Sequence, residues 1–407
     1  MTQVLAGLRL VEASAFVAAP LGGMTLAQLG AEVIRIDGVS GGLDHNRWPV
    51  GPSGASLFWA GLNKGKKSVA LDLTREEGRE LAQAIICAPG PDAGMFLTNF
   101  PPRGWLAHDA LRARRKDLIQ LTVLGDRHGG SAVDYTVNPG TGLPFLTGPQ
   151  DAPVNHVLPA WDLITGQMAA TGLLAAERKR RLTGEGQHVT LALEDVALAA
   201  MGHLGFIGEV ELGLERTPAG NDLFGAFGRD FPCADGGRVM VVGLTGKQWR
   251  ALVEATGIAE DLTVIETGLG VDLLREGDRF KARQQIADLV SPWIAARSLA
   301  EVSEAFDRHG VCWGAYRTVQ EMVASHPNCN LDNPMFSRVA HPGLGSLLTP
   351  GLPLAFSDDP RTPAAPAPRL GEHTDEVLLE LVGLSSAAVG DLHDRGLAGA
   401  LDTRTNA

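Results

Sequence analysis

The sequence predicts an α/β protein, with a large domain on a parallel, Rossmann-like sheet and a smaller α/β domain inserted before the chain returns to the first. Three observations carry this reading. Short β-rich runs alternate with helical stretches through the first 123 residues, the pattern of a parallel sheet covered by helices. Around residues 217–221 the pattern changes to one strand followed mainly by helices, and from Pro342 the chain turns rich in Pro and Gly before a last helix near Thr374. A chain of 407 residues is too long for one ordinary core. The expected limits are 1–215 for the first part of the large domain, 216–340 for the small domain, and 341–407 for the return that completes the large one.

In chain order, the apolar run 8–11 predicts a first strand and 21–29 a helix, followed by a strand over 31–36. A strand over 68–71 precedes a helix over 76–87, and a strand over 94–97 precedes a helix over 106–115 and a strand over 118–123. Two long helices follow, one opened by Asp162 and one over 191–208, separated by a turn at 183–186 and a short strand over 188–191. In the small domain 238–242 reads as a strand, and the capping boxes Ser298 with Glu301 and Thr318 with Glu321 open two helices. No Gly-x-Gly-x-x-Gly follows the first strand and no Walker A pattern occurs, which excludes a standard dinucleotide or nucleoside-triphosphate site.

Composition narrows the function further. The net charge of -12 argues against broad attraction to nucleic acid or an anionic membrane surface, so an anionic ligand needs a local basic cluster. The four cysteines lie far apart without metal-ligand spacing, and read as reduced thiols of a cytoplasmic protein with no metal site. Arg9 and Glu12 interrupt the N-terminal apolar stretch, and no run reaches the length of a membrane span.

One carboxylate stands out. Pro159 disfavours helix just before it, and Leu163, Ile164, Met168, Ala169, Leu173 and Leu174 recur at helical spacing up to the basic stop at 178–181. Asp162 is thereby expected at or near an N-cap, where helix-terminal N–H groups and the macrodipole favour its ionised form. A capping aspartate and a nucleophilic carboxylate share this geometry, so the segment alone leaves both open.

Seven segments, in order, resemble the class III CoA-transferases: GLRLVEASAFVAAP (7–20), LAQLGAEVIRID (26–37), NKGKKSVALDL (63–73), TNFPP (98–102), VNHVLPAWDLITGQM (154–168), RRLTGEGQHVTLAL (180–193) and PRLGEHTDEVLLELVGL (368–384). The resemblance covers nearly the whole chain. It implies the two-domain layout above, an interlocked homodimer, an acyl-CoA substrate and no cofactor beyond the CoA moiety. For Asp162 it implies the role of nucleophile on the acyl thioester. It also implies CoA contacts from Phe16, Val17 and Ala18 at the thioester end, from Thr98, Asn99, Phe100 and Tyr135 along the arm, and from Arg35, Lys66, Lys67, Leu71, Leu73 and Arg103 toward the nucleotide.

Two departures bear on the phosphate partners: Gly38 stands where the family often has a basic residue, and Arg103 is displaced from the usual arginine. Arg47 and His45 are assigned from charge alone to the substrate's free carboxylate. Oxyanion donors are expected in the 17–18 loop or the 219–221 loop, the latter a one-glycine counterpart of the family's glycine-rich lid. Within the family, the stretches 14–35, 56–68, 133–149 and 154–168 resemble members that move CoA between the C1 and C4 carboxyl groups of mesaconate, without an external acceptor. The alternatives are transfer to a second carboxylic acid, a racemase in which His128 would have to pair with Asp162, and a non-catalytic acyl-CoA-binding relative.

Overall fold

A computed structural model describes residues 4–149 and 152–399. Its centre is a six-stranded sheet in the order β3-β2-β1-β4-β5-β6, made of β1 (Arg9–Ala13), β2 (Glu32–Gly38), β3 (Lys67–Leu71), β4 (Met95–Thr98), β5 (Ile119–Leu124) and β6 (His188–Ala192). Every pairing is parallel, with Leu10 opposite Val33 on one side and Met95 on the other. The strand order reverses between β1 and β4. Ligand crevices of open α/β sheets form at the carboxyl ends of the strands at such a switch point.

Helices α1 (Ala18–Gln28), α2 (Leu57–Leu62), α3 (Glu76–Ile86), α4 (His108–Arg114), α5 (Asp134–Gly140), α6 (Leu143–Thr147) and α7 (Ala160–Thr183) lie between the first and sixth strands. One core cluster joins Val11, Ile36, Val69, Ile85 and Phe96 to Leu378 and Leu392 from the C-terminal part; a second joins Leu10, Leu26, Met95, Leu121, Ala169 and Leu173. The predicted single helix over 191–208 is two, α8 (Leu193–His203) and α9 (Phe206–Glu211), because Gly205 takes φ +84°, which ends α8.

The chain divides into two compact units. One takes in residues 4–141, 156–213 and 327–399; the other takes in 142–155 and 214–326. The second carries an antiparallel sheet of β7 (Phe227–Pro232), β8 (Arg238–Gly243) and β9 (Cys312–Ala315), packed against α10 (Gly246–Thr256), α11 (Ala259–Leu269), α12 (Glu276–Lys281), α13 (Arg283–Ala295) and α14 (Leu299–His309), with α15 (Val319–Ser325) at its end. Both predicted capping boxes form, Ser298 Oγ accepting from Glu301 N and Thr318 Oγ1 from Glu321 N.

A boundary at 340 would split the hairpin of β10 (Phe336–His341) and β11 (Gly345–Pro350), which the structure keeps with the first unit. That unit closes with α16 (Thr374–Glu380) and α17 (Ser386–Asp394). Beside the edge strand β3, Thr374 Oγ1 accepts from Ala70 N and Gly399 N donates to Ala70 O, so the return covers an otherwise open edge.

Candidate active site

Asp162 is the third residue of α7, whose N-cap is Pro159 and which has no side-chain cap of its own. Asp162 therefore lies near the N-cap, as expected, without being the cap. The helix start is held instead by Asp134, fully buried at the head of α5, whose Oδ2 accepts from Trp161 N at 2.7 Å and Asp162 N at 3.3 Å. Its Oδ1 meets His156 Nε2 at 2.9 Å, and Trp161 Nε1 donates to Asn138 Oδ1 at 3.0 Å. With a second carboxylate satisfying the helix end, the Asp162 side chain is left free for a ligand.

The electrostatics run against the expectation. Burial, and after it the negative charge of Asp134, raise the Asp162 pKa to about 6, with Arg47 opposing. At neutral pH the group is still mainly ionised but poorly hydrated, the state of a reactive carboxylate. Turnover is expected to fall as pH drops through about 6. Asp134→Asn should move that acid limb of kcat/KM to lower pH; an unmoved limb would rule out Asp134 as the neighbour that sets it.

Glycine contacts bring the other half of the site to Asp162. A Cβ on Gly166 would sit 2.7 Å from Ala18 O, and one on Gly22 would sit 3.3 Å from the Ala169 side chain. α1 and α7 thus run side by side in the same direction, with Ala18 level with Gly166. One turn earlier on α7, Asp162 comes level with the residues that precede α1. Those residues are Phe16, whose φ of 70° is the sole non-glycine value in the left-handed region among the described residues, and Val17, the N-cap of α1 without a side-chain cap. Backbone strain of this kind concentrates at ligand-binding positions.

Across the switch point, Asn99 clamps the two loops together: Oδ1 accepts from Ala15 N at 2.9 Å and Nδ2 donates to Ala15 O at 2.7 Å. Thr98 Oγ1 accepts from Phe100 N, and Asp44 Oδ1 accepts from Phe16 N at 2.9 Å. The Arg47 guanidinium lies 5.2 Å from the Phe16 ring and 4.6 Å from the Phe58 ring. The structure therefore gathers Phe16, Val17, Ala18, Arg47, Thr98, Asn99 and Phe100 at the carboxyl edge with Asp162. Tyr135 is exposed beside Asp134, and Arg103 is exposed on the loop after β4.

Other expected CoA contacts are placed elsewhere. Arg35 is 1% exposed and bonds Asp37, Asp44, Glu12, Asn63 and Ser14 O, so its guanidinium is consumed within the fold. Lys66 is buried against Glu12 Oε1 at 2.9 Å, Pro20 O and Asn63 Oδ1. Lys67 opens β3 and pairs with Glu32 and Glu376, both at 2.7 Å. Leu71 is wholly in the core, and Leu73 packs against the same cluster. His45 lies against Trp59, ring centroids 3.8 Å apart and planes tilted by 30°, and its Nδ1 accepts from Gly42 N, which holds the ring in its own turn. Lys66 and Lys67 are committed to carboxylates that lie far away in sequence, Glu12, Glu32 and Glu376.

His128 is an exposed turn residue, its N–H bonded to Asp126. The turn at 218–221 belongs to the second unit, where Pro218 and Gly220 line a cleft with Thr147 and Pro149. Sequence reading missed Asp134 and His156; the signal available was an aspartate directly before Tyr135 and a histidine six residues before Asp162. Among the described residues, no group of three or more His, Cys, Asp or Glu is placed to hold a metal ion.

A parallel sheet with this switch point, a glycine-packed α1–α7 pair and a half-buried aspartate at the start of α7 make an α/β protein with one reactive carboxylate beside its ligand crevice. The chain matches the model of CoA-transferase family III over residues 5–374, and it belongs to that family. It is 60% identical over 406 residues, 99% of both chains, to the 2-methylfumaryl-CoA isomerase of Chloroflexus aurantiacus. Succinyl-CoA–D-citramalate CoA-transferase from the same organism is 28% identical, covering 93% of this chain and 94% of its own. In fold, a CAIB/BAIF family protein from Brucella suis superposes with a TM-score of 0.75 at 24% identity, covering 94% of this chain and all of that one.

Proposed function

We propose that this chain is a 2-methylfumaryl-CoA isomerase, moving CoA between the C1 and C4 carboxyl groups of mesaconate through covalent intermediates on Asp162. The observation that carries this reading is the free, poorly hydrated Asp162 carboxylate beside the Phe16–Val17 loop, in a chain 60% identical throughout to an enzyme of that name. An Asp162 oxygen attacks the C1 thioester carbonyl, the C–S bond breaks, and CoA leaves as thiolate, giving a mixed anhydride. The thiolate then attacks the Asp162 carbonyl, giving aspartyl-CoA thioester and free mesaconate. Mesaconate presents its C4 carboxylate to that thioester, a second anhydride forms, and thiolate attack at C4 yields the isomer and restores Asp162.

Each tetrahedral stage carries an oxyanion, for which the uncapped N–H groups at the start of α1 are the assigned donors. Arg47, fixed over two phenyl rings, is the assigned partner of whichever carboxylate is free. Thr98, Asn99, Phe100, Tyr135 and the exposed Arg103 would follow the CoA arm. Carboxylate chemistry of this kind calls for no metal or redox group. All four cysteines are unpaired, which suits a reducing cytoplasm, and among the described residues no helix is long and apolar enough to cross a membrane.

The larger unit would bind CoA, and the chain would act as an interlocked homodimer. Ile164 and Met168 on α7, Leu198 on α8, and Ile207 and Val210 on α9 are all exposed, apolar surface that a second copy would cover. Incubating the protein with the C1 thioester alone tests the function. C4 thioester should accumulate without added acid; if it forms only when a second carboxylic acid is supplied, the enzyme is an intermolecular transferase.

A further inference from the structure

The opposite edge of the parallel sheet holds a cavity, lined by a few polar side chains among apolar ones, that the reaction does not use. α1 begins at the carboxyl edge with Ala18 and ends at Gln28, about 15 Å further along its axis. There it meets Lys64, in the turn before β3, and the Pro-rich return near Arg361. Lys64 is only 6% exposed, and among the described residues its ammonium has neither a hydrogen bond nor a counter-charge; burial alone lowers its pKa. Gln28 Nε2 and Arg361 Nε are likewise buried donors without a partner. Arg361 is held by Nη2 donating to Pro353 O at 2.9 Å, and its Nε is left without a partner. No carboxylate lines this space, which Met335 and Leu352 help to close. The unbalanced charge is felt nearby, where Lys64 adds to burial in lowering the His341 pKa.

An ammonium largely withdrawn from water and without a counter-charge is costly, and a neutral water does not cancel its charge. The space between these donors is narrow and partly open to solvent, which favours a small ion over a nucleotide. We propose that it is a binding site for a small monovalent inorganic anion of halide size, held by Lys64, Gln28 and Arg361. The ion would tie together three separate segments: the end of α1, the turn at Lys64 and the return, the last two of which already meet where Gly65 N donates to Pro366 O at 3.0 Å.

The test combines crystals of the full chain grown in bromide with thermal unfolding in chloride against gluconate at constant ionic strength. An anomalous bromide peak between Lys64 and Arg361 is expected, with a midpoint about 2 °C higher in chloride for the unaltered protein. Lys64→Met and Gln28→Leu should lose that chloride response. No peak in the cavity overturns the proposal. A peak with equal chloride responses in all three proteins means an adventitious ion only, and overturns it too. If Lys64→Met does not fold, Gln28→Leu and the bromide map still decide.

Discussion

Asp162→Ala is expected to lower turnover on the order of 10⁴-fold or more while leaving CoA affinity largely intact, because the lost group makes the covalent bond and the CoA contacts come from other segments. Asp162→Asn should do the same and also stabilise the fold. The Asp162 pKa is about 6 in the folded chain against 3.8 for a free aspartate, so the native state penalises the ionised form. That penalty is absent below about pH 4, grows as pH rises from there to 6, and is fully present at neutral pH. Asparagine removes it, for a gain on the order of 1–3 kcal/mol at pH 7 after allowance for partial exposure. Urea unfolding at pH 7 and pH 4 measures this: the gain should be large at the first and near zero at the second. A gain of equal size at both pH values would mean that the carboxylate charge is not its cause.

Arg35→Met is the change with the largest expected effect on stability. Arg35 and Lys66 are the two cations facing the buried carboxylates Glu12, Asp37 and Asp44. Removing the arginine leaves Asp37 and Asp44 without a directly paired cation, and breaking a buried ion pair from one side costs about 3–5 kcal/mol. The loss would reach the site, because Asp44 also holds the Phe16 N–H and so the strained turn beside Asp162. A fall of that size in unfolding free energy, with activity lost in the fraction that remains folded, is the expected outcome. A loss below about 1 kcal/mol would show that the network is dispensable to the fold.

This contrast explains what the sequence reveals and what it conceals. The first five parallel strands are legible because both faces of the sheet are buried there and each strand reads as a short, mainly apolar run bounded by turns: 118–123 is expected and Ile119–Leu124 is found, whereas the edge strand β6 alternates between exposed and half-buried positions. Capping boxes are legible because both partners lie within one turn. The fate of a charge is not, since Arg35, Lys66 and Lys67 are expected at the nucleotide end of CoA until distant residues, Glu12, Asp44 and Glu376, are placed against them.

The active site follows the same rule. Asp162 is legible from Pro159 and the apolar periodicity behind it, together with the family resemblance. Its environment is not, because Asp134 lies 28 residues earlier and arrives only through folding, where it takes over the helix cap and helps raise the pKa. Phe16 and Asn99 are legible only as members of family motifs. Their backbone strain and reciprocal hydrogen bonds arise from packing across the switch point.

The central claim is that Asp162 becomes covalently activated during turnover, and peptide mass mapping tests it most directly. The protein would be incubated with mesaconyl-CoA and hydroxylamine, digested, and its peptides weighed. Hydroxylamine attacks an aspartyl anhydride or thioester at its carbonyl and leaves a stable hydroxamate, so the account predicts that modification on the peptide carrying Asp162, dependent on substrate. Recovery of that peptide unmodified while turnover is stopped, or the label on a different carboxylate, would contradict it.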